Sequence, residues 1–439
     1  MVTKSVAKRD AELETHAVIE RDGSTSRRGF LAGAAGVAAA AAMLRPGTAM
    51  ARTPSVGVDL AARPPAGFVP LSAPGRVVKV AKAGCLEANG IFPKADDARE
   101  MLRRALEELT GKSTLAEAAK SFVHPDDKVC VKVNGIALQN MATNKELVLP
   151  FVEAMIAAGV PPTNITLLEQ YPGFMQGTRI TSRSVPAGVS VVWHSNSDAT
   201  MDWRDIPGTQ RHTKFVRALT ESTALINFAL IKDHAICGYT GALKNMTHGC
   251  SVNPQDFHEH HASPQIAILS AQDILRTRLR LCIIDGFKLM AHGGPLYKQP
   301  QYVTPHEAVY VSTDPVALDS IGWGLVEKAR AGFHLKSLTE EGRPPAYIRD
   351  AFAHGQPVPG VFRAALLGPV HFNIPASIQG GFRAPEHAPV RAVGLVIELG
   401  RVFVHAELDP LSLGAPFQIG LRATGERSGR LPRQVHPVS

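Results

Sequence analysis

Apolar positions along this 439-residue chain fall into two alternating rhythms. Short, densely apolar runs predict strands: Arg76–Lys82 (RVVKVAK), Asp127–Gly135 (DKVCVKVNG), Asn164–Glu169 (NITLLE), Val189–His194 (VSVVWH) and Thr223–Lys232 (TALINFALIK). Between them, apolar residues three and four apart predict helices over Asp96–Gly111 and Asn144–Gly159, the second with a bend near Pro150. Further on, SAQDILRTRL leads to a strand, RLCIID, that ends at Asp285. EAVYVST leads to a helix, DPVALDSIGWGLVEKAR, in which Asp314 is the expected N-cap and Pro315 opens the first turn. The alternation predicts an α/β fold with a mainly parallel central sheet flanked by helices. From Pro357 the Pro and Gly content rises, and RAVGLVIELG and RVFVHAEL predict a β pair joined at Gly400. The expected organisation is a linker over 52–75, a main domain over 76–356, and a small β-containing accessory region over 357–439 with a disordered tail.

The first 51 residues stand apart from this pattern. Arg27 and Arg28 precede an Ala/Gly-rich run from Gly29 to Leu44, and Ala49-Met50-Ala51 follows. The arrangement reads as a twin-arginine export signal with an A-x-A processing site. The run is shorter and less apolar than the roughly 20 residues that span a bilayer. A periplasmic or otherwise exported protein is therefore expected, with the twin-arginine translocase as a transient partner and a mature form that does not span the membrane. The whole chain carries 47 Lys/Arg against 39 Asp/Glu, a net of +8, and removing residues 1–51 lowers the excess to +6. So small and scattered an excess, with 6% aromatic residues and three Trp, argues against a nucleic-acid partner.

Five cysteines remain: Cys85, Cys130, Cys237, Cys250 and Cys282. Cys130 and Cys282 sit in apolar strand-like runs and are expected to be buried. Cys237 and Cys250 are twelve apart, and in an oxidising compartment a disulfide between them is the leading reading. With no C-x-x-C and no C-x-x-C-H, nothing points to a ferredoxin-type cluster or haem, and no feature points to a nucleotide.

Polar residues gather where the predicted strands end: Lys132 and Asn134, Glu169, His194, then Lys232, Asp233 and His234, and finally Asp285. In open α/β sheets ligands bind beyond the carboxyl ends of the strands. Between Lys232 and His261, a stretch of 30 residues, lie five of the chain's 17 histidines, where even scatter would place about one. Thr240 is positioned to cap a helix beginning at Gly241, leaving backbone N–H groups beside the strand end. On that helix Lys244 and His248 share a face and Asn245 projects to one side. With Lys132 and Lys232, these residues suit a small anionic ligand, a carboxylate or phosphate. His258 and His261, or His258 and His260, joined by His234, His248 or His292, form a candidate site for a transition metal such as zinc, iron or copper. Asp285 is a candidate general base or a group that orients a histidine.

The segment KDHAICGYTGALKN resembles the signature of the domain-of-unknown-function family numbered 362. VKVNG, DGFKLMAHGGP and STDPVALD resemble further segments of it, and together the four cover roughly residues 76–330. Val133 stands where the family has proline, and Ala291 and His292 stand where an acidic residue and a glycine are the rule. The resemblance implies a fold and a site region but no substrate. The reading that unites these features is an exported α/β enzyme with a metal- or redox-linked site. There Lys132, Asn134, Lys232, Thr240, Gly241, Asn245 and Asp319 hold an anion, while His234, Asp285 and Lys244 supply the chemistry. The alternative is a non-catalytic periplasmic protein that binds a metal or an anion.

Overall fold

The computed structural model describes residues 59–353, together with the strands Gly394–Glu398 and Arg401–Phe403. The expected export signal and the expected disordered tail lie outside the described residues. The strands are β1 (Val77–Ala81), β2 (Val129–Lys132), β3 (Ile165–Glu169), β4 (Ser190–Trp193), β5 (Arg204–Ile206), β6 (Arg211–Thr213), β7 (Ala224–His234), β8 (Gly238–Thr240), β9 (Leu279–Met290), β10 (Val303–Ser312), β11 (Gly394–Glu398) and β12 (Arg401–Phe403). The helices are α1 (Ala95–Thr110), α2 (Leu115–Ala119), α3 (Lys145–Ala157), α4 (Pro172–Gly177), α5 (Arg217–Thr220), α6 (Ala242–Thr247), α7 (Gln265–Ser270), α8 (Asp273–Arg276), α9 (Pro315–Gly332) and α10 (Tyr347–Ala353).

One large sheet runs in the order β12-β11-β1-β10-β9-β7-β2-β3-β4, with β8 pairing on β7, while β5 and β6 form a separate ribbon. The half built from β9, β7, β2, β3 and β4 is parallel throughout. Strand β10 runs antiparallel to both β1 and β9. The expected α/β architecture is therefore present, with antiparallel strands on one flank.

Alternation along the strands feeds two cores. Ala224, Ile226 and Phe228 of β7 join Met101, Leu102 and Leu106 of α1 and Phe151 of α3 on one face. Leu225, Ala229 and Ile231 join Leu243 and Met246 of α6 and Val316 of α9 on the other. A strand covered on both faces needs apolar residues in succession, which is why TALINFALIK reads as one continuous run. Each fully buried Leu, Ile or Phe contributes roughly 1.5–3 kcal/mol. Helix α9 begins as expected: Asp314 accepts from Val316 N at 2.9 Å and Ala317 N at 3.0 Å, with Pro315 in the first turn. Residues 59–75 have no regular structure but are strapped to the body, through Leu60 N to Asp273, Leu71 N to Ser121 O and Gly75 N to Asp314. No helix of the described residues is long and apolar enough to cross a membrane.

Three expectations need correction. Strand β9 does not end at Asp285 but continues to Met290, because β10 supplies a partner as far as Val303. Asp285 thus sits in mid-strand. Cys237 and Cys250 are free thiols, both fully buried, so the expected disulfide is not formed. Thr240 belongs to β8 and does not cap a helix.

Candidate functional site

Strand β2 stops at Lys132, level with Asn227 of β7, so β7 overhangs its neighbour by seven residues. The overhang carries Lys232 and His234, and β8 folds back along it with Thr240 opposite Lys232 and Gly238 opposite His234. Directly opposed residues of an antiparallel pair project to the same face, so Thr240 and Lys232 point the same way. Helix α6 follows at once and brings Lys244, Asn245 and His248 beneath this ledge.

The floor is a chain of buried amides. Lys232 Nζ donates to Asn134 Oδ1 at 3.0 Å, and Asn134 Nδ2 donates to Asn245 Oδ1 at 3.1 Å. Asn245 Nδ2 donates to Asn227 Oδ1 at 2.7 Å, and Asn227 Nδ2 donates to the Ala242 carbonyl at 2.9 Å. Beside it, Lys132 forms an ion pair with Glu169 at 3.0 Å, and Glu169 also accepts from the Gly135 N–H at 2.8 Å. Lys132, Asn134, Lys232 and Asn245 are all at least nine-tenths buried. Such a network fixes side-chain positions because each amide uses both its donor and its acceptor.

Three imidazoles line the other wall. The rings of His234 and His258 stack at 5.6 Å, and His248 meets His258 edge-on at 4.7 Å. Their hydrogen bonds fix their tautomers. His234 Nδ1 accepts from the N–H groups of Ile236 and Cys237 at 3.1 and 3.3 Å, so the proton of the neutral ring lies on Nε2. His258 Nδ1 donates to the Pro254 carbonyl at 2.9 Å, which leaves an Nε2 lone pair. His248 Nε2 donates to the Phe257 carbonyl at 3.1 Å, so that ring is fully engaged by the protein.

Two groups in this cluster lack partners. Lys244 is 8% exposed, and among the described residues its ammonium makes no hydrogen bond or ion pair. The Thr240 hydroxyl is buried and, among the described residues, unbonded. The electrostatics follow. Burial pushes Lys244 down, and burial holds Lys232 at about 7, partly offset by Glu169. Burial, reinforced by Lys244 and the neighbouring rings, drives His234 well below the usual imidazole range, and burial with Lys244 drives His258 to about 3. The cluster has more cationic groups than anionic ones to balance them.

Other expected site residues fall elsewhere. Asp319 is fully buried and accepts from Ala242 N at 2.6 Å and Leu243 N at 2.9 Å, so the N–H groups expected to face a ligand are taken by a carboxylate of the chain itself. Asp319 and Gly241 are thus corrected from ligand-binding to structural. An added Cβ on Gly241 would lie 2.1 Å from Asp319 Oδ1, so the glycine serves this close approach. Asp285 is corrected as the partner of His234: it accepts from Asn144 N at 2.7 Å and Asn144 Nδ2 at 2.9 Å. His261 is exposed and bonds the Ile236 carbonyl, and His292 lies beside Arg330 and Arg343. Among the described residues no three His, Cys, Asp or Glu side chains are arranged to hold a metal ion. Among the described residues the expected ligands His234, His248, His258, His261 and His292 form no such group.

Residues 129–324 match the family described as Domain of unknown function (DUF362). All four segments on which the resemblance rested lie within these bounds, while β1 and α1 lie outside them. No curated protein matches. Among solved structures, the lactate racemase apoprotein from Thermoanaerobacterium thermosaccharolyticum is similar at a TM-score of 0.31 and 10% identity, over 57% of each chain.

Two contributors escaped the sequence reading. Asn227 lies inside an apolar strand, and the one amide in TALINFALIK was the available signal. Glu169 was noted only as a strand-end residue. Its role as the counter-charge of Lys132 depends on β2 and β3 being neighbours, which their sequence separation does not disclose.

Proposed function

We propose that the protein is an exported enzyme that binds a small anion on the ledge formed by β7, β8 and α6 and moves a proton on it. The observation that carries this reading is Lys244, only 8% exposed, whose ammonium has no hydrogen-bond or ion-pair partner among the described residues. A desolvated cation without a partner is costly, and a bound carboxylate or phosphate would offset that cost. Lys232 supplies a second positive group, and the unbonded Thr240 hydroxyl supplies a donor on the same face.

The two imidazoles differ in what they offer a ligand. His234 presents an N–H that can hydrogen-bond and polarise a ligand, and His258 presents a lone pair that can accept a proton as general base. Lys244 is one cause of the low basicity of His258. Burial is the larger cause and remains, so an anion on Lys244 would cancel only the second influence and raise the basicity of His258 in part. This reading needs no metal.

The test is calorimetric titration of the purified protein with acetate and with inorganic phosphate. Lys244→Met, with its fold verified by circular dichroism, should weaken the tighter-binding anion by about tenfold or more, as expected for a charged hydrogen bond of about 1.5–3 kcal/mol. Equal affinity in the variant and the wild type would remove the site. A non-catalytic anion-binding protein is the second reading, favoured by the low basicity of unliganded His258. His258→Asn separates the two, because an enzyme would keep the anion but lose turnover, whereas a binding protein has no turnover to lose.

A further inference from the structure

The continuation of β9 past Asp285 places a lysine where no site was expected. Lys288 projects from a strand run that is otherwise apolar and is only 6% exposed. Its ammonium donates to the Asn140 carbonyl. Among the described residues it has no ion-pair partner within 4.0 Å, because the nearby Asp285 carboxylate is turned to Asn144. Arg179 adds further positive potential.

Lys288 lines a cleft of about 200 Å³. Around it stand Asn140, Tyr297, Ile91, Val303 and Pro305. Among the described residues the Tyr297 hydroxyl and the Asn140 side-chain amide make no hydrogen bond. The cleft therefore joins one cation and two free polar groups to an apolar rim. Its volume is below the roughly 300–1,000 Å³ of pockets for drug-sized ligands. At about 30 Å³ per water it holds roughly half a dozen waters, or a ligand of about that many heavy atoms.

We propose that this cleft is a second ligand site, for a small monocarboxylate with a short aliphatic tail. The carboxylate meets Lys288 and the Tyr297 hydroxyl, and the tail lies against Ile91, Val303 and Pro305. A single lysine and no arginine fork match one negative charge better than the two of a phosphate dianion. Burial lowers Lys288 to about 8, so the group is a cation at neutral pH and binding should weaken above pH 8. The proposal is independent of the ledge at Lys244, and either can fail without the other.

The probe is butyrate, titrated calorimetrically into the full-length Lys244→Met protein, so that the ledge is silenced. Saturable binding of one equivalent is expected, with inorganic phosphate weaker than butyrate. Lys288→Met should weaken butyrate by about tenfold or more, and Tyr297→Phe by a few-fold. Ile91→Trp, which fills the rim, should block it. Absence of saturable binding at about millimolar butyrate would overturn the proposal, as would unchanged affinity in Lys288→Met. Should Lys288→Met fail to fold, unchanged binding in both Tyr297→Phe and Ile91→Trp would overturn it equally.

Discussion

At the scale of single residues, the molecule tolerates several ionisable groups in environments that oppose their charge. Lys232 is fully buried, with one amide acceptor and a carboxylate only at a distance. Its ammonium is depressed to about 7 from an ordinary value of 10.5, chiefly by burial. Between those two values the unfolded chain holds a proton that the folded chain has released, so native stability rises with pH across the window. One such group contributes at most about 1.4 kcal/mol per pH unit. Lys232→Met should therefore flatten the gain in stability between pH 7 and pH 9, measured by urea unfolding at both values. The same pH dependence in variant and wild type would show that Lys232 titrates normally. The individual residue types at the ledge were legible in advance, since Lys132, Asn134, Lys232 and His234 sit at or just beyond predicted strand ends and Lys244 on the helix that follows. Their pairings were not. Nothing local says that Asn134 accepts from Lys232 while Asp285, equally polar and next to a glycine, turns to Asn144.

At the scale of elements, the short helix α6 owes its position to a longer one. Asp319, in the second turn of α9, caps α6, and Gly322 one turn later faces Tyr239 of β8. A Cβ at position 322 would lie 1.8 Å from the Tyr239 hydroxyl oxygen and 2.5 Å from ring carbon Cζ. Gly322→Ala should thus cost about 1–3 kcal/mol through overpacking. Tyr239→Phe alone should be close to neutral, because the hydroxyl it removes is buried without a partner among the described residues. In the double variant Tyr239→Phe should recover only part of the loss, since Cζ remains. Urea melts of the four proteins give the coupling, and an undiminished stability of Gly322→Ala would contradict this packing. Periodicity located the long helices α1, α3 and α9 well. It did not locate β8, β5 and β6, which have three residues each, too few for a period to register.

At the scale of the whole molecule, the five thiols bear on how the chain matures. All are buried and none forms a disulfide, and burial pushes the thiols up, Cys85 and Cys250 to about 12 and Cys237 to about 11. A fold that needs no disulfide can be completed in a reducing compartment, which suits the twin-arginine route proposed from Arg27 and Arg28. Protein recovered from the exported fraction should react with a thiol reagent only after denaturation, and then at five sites. Three sites would reveal a Cys237–Cys250 bond and count against the fold as described. Replacing Arg27 and Arg28 by lysine should hold the protein in the cytoplasm, as read by fractionation.

The linear order of residues determined the α/β class, the positions of most strands and long helices, and the segment in which the unusual side chains gather. These follow from short-range periodicity and from the rule that strands end in polar residues. Only the tertiary structure decided which of those side chains share a space. Lys132 meets Glu169, and Lys232 meets Asn134, because β2 lies between β3 and β7. Asp319 fills the helix end that seemed open to a ligand because α9 packs against α6 across 76 to 77 residues of sequence. Contacts between distant positions depend on strand order and register, and neither leaves a mark in local composition. The charge of Lys244 is of that kind: its lack of a partner among the described residues is a property of everything packed around it.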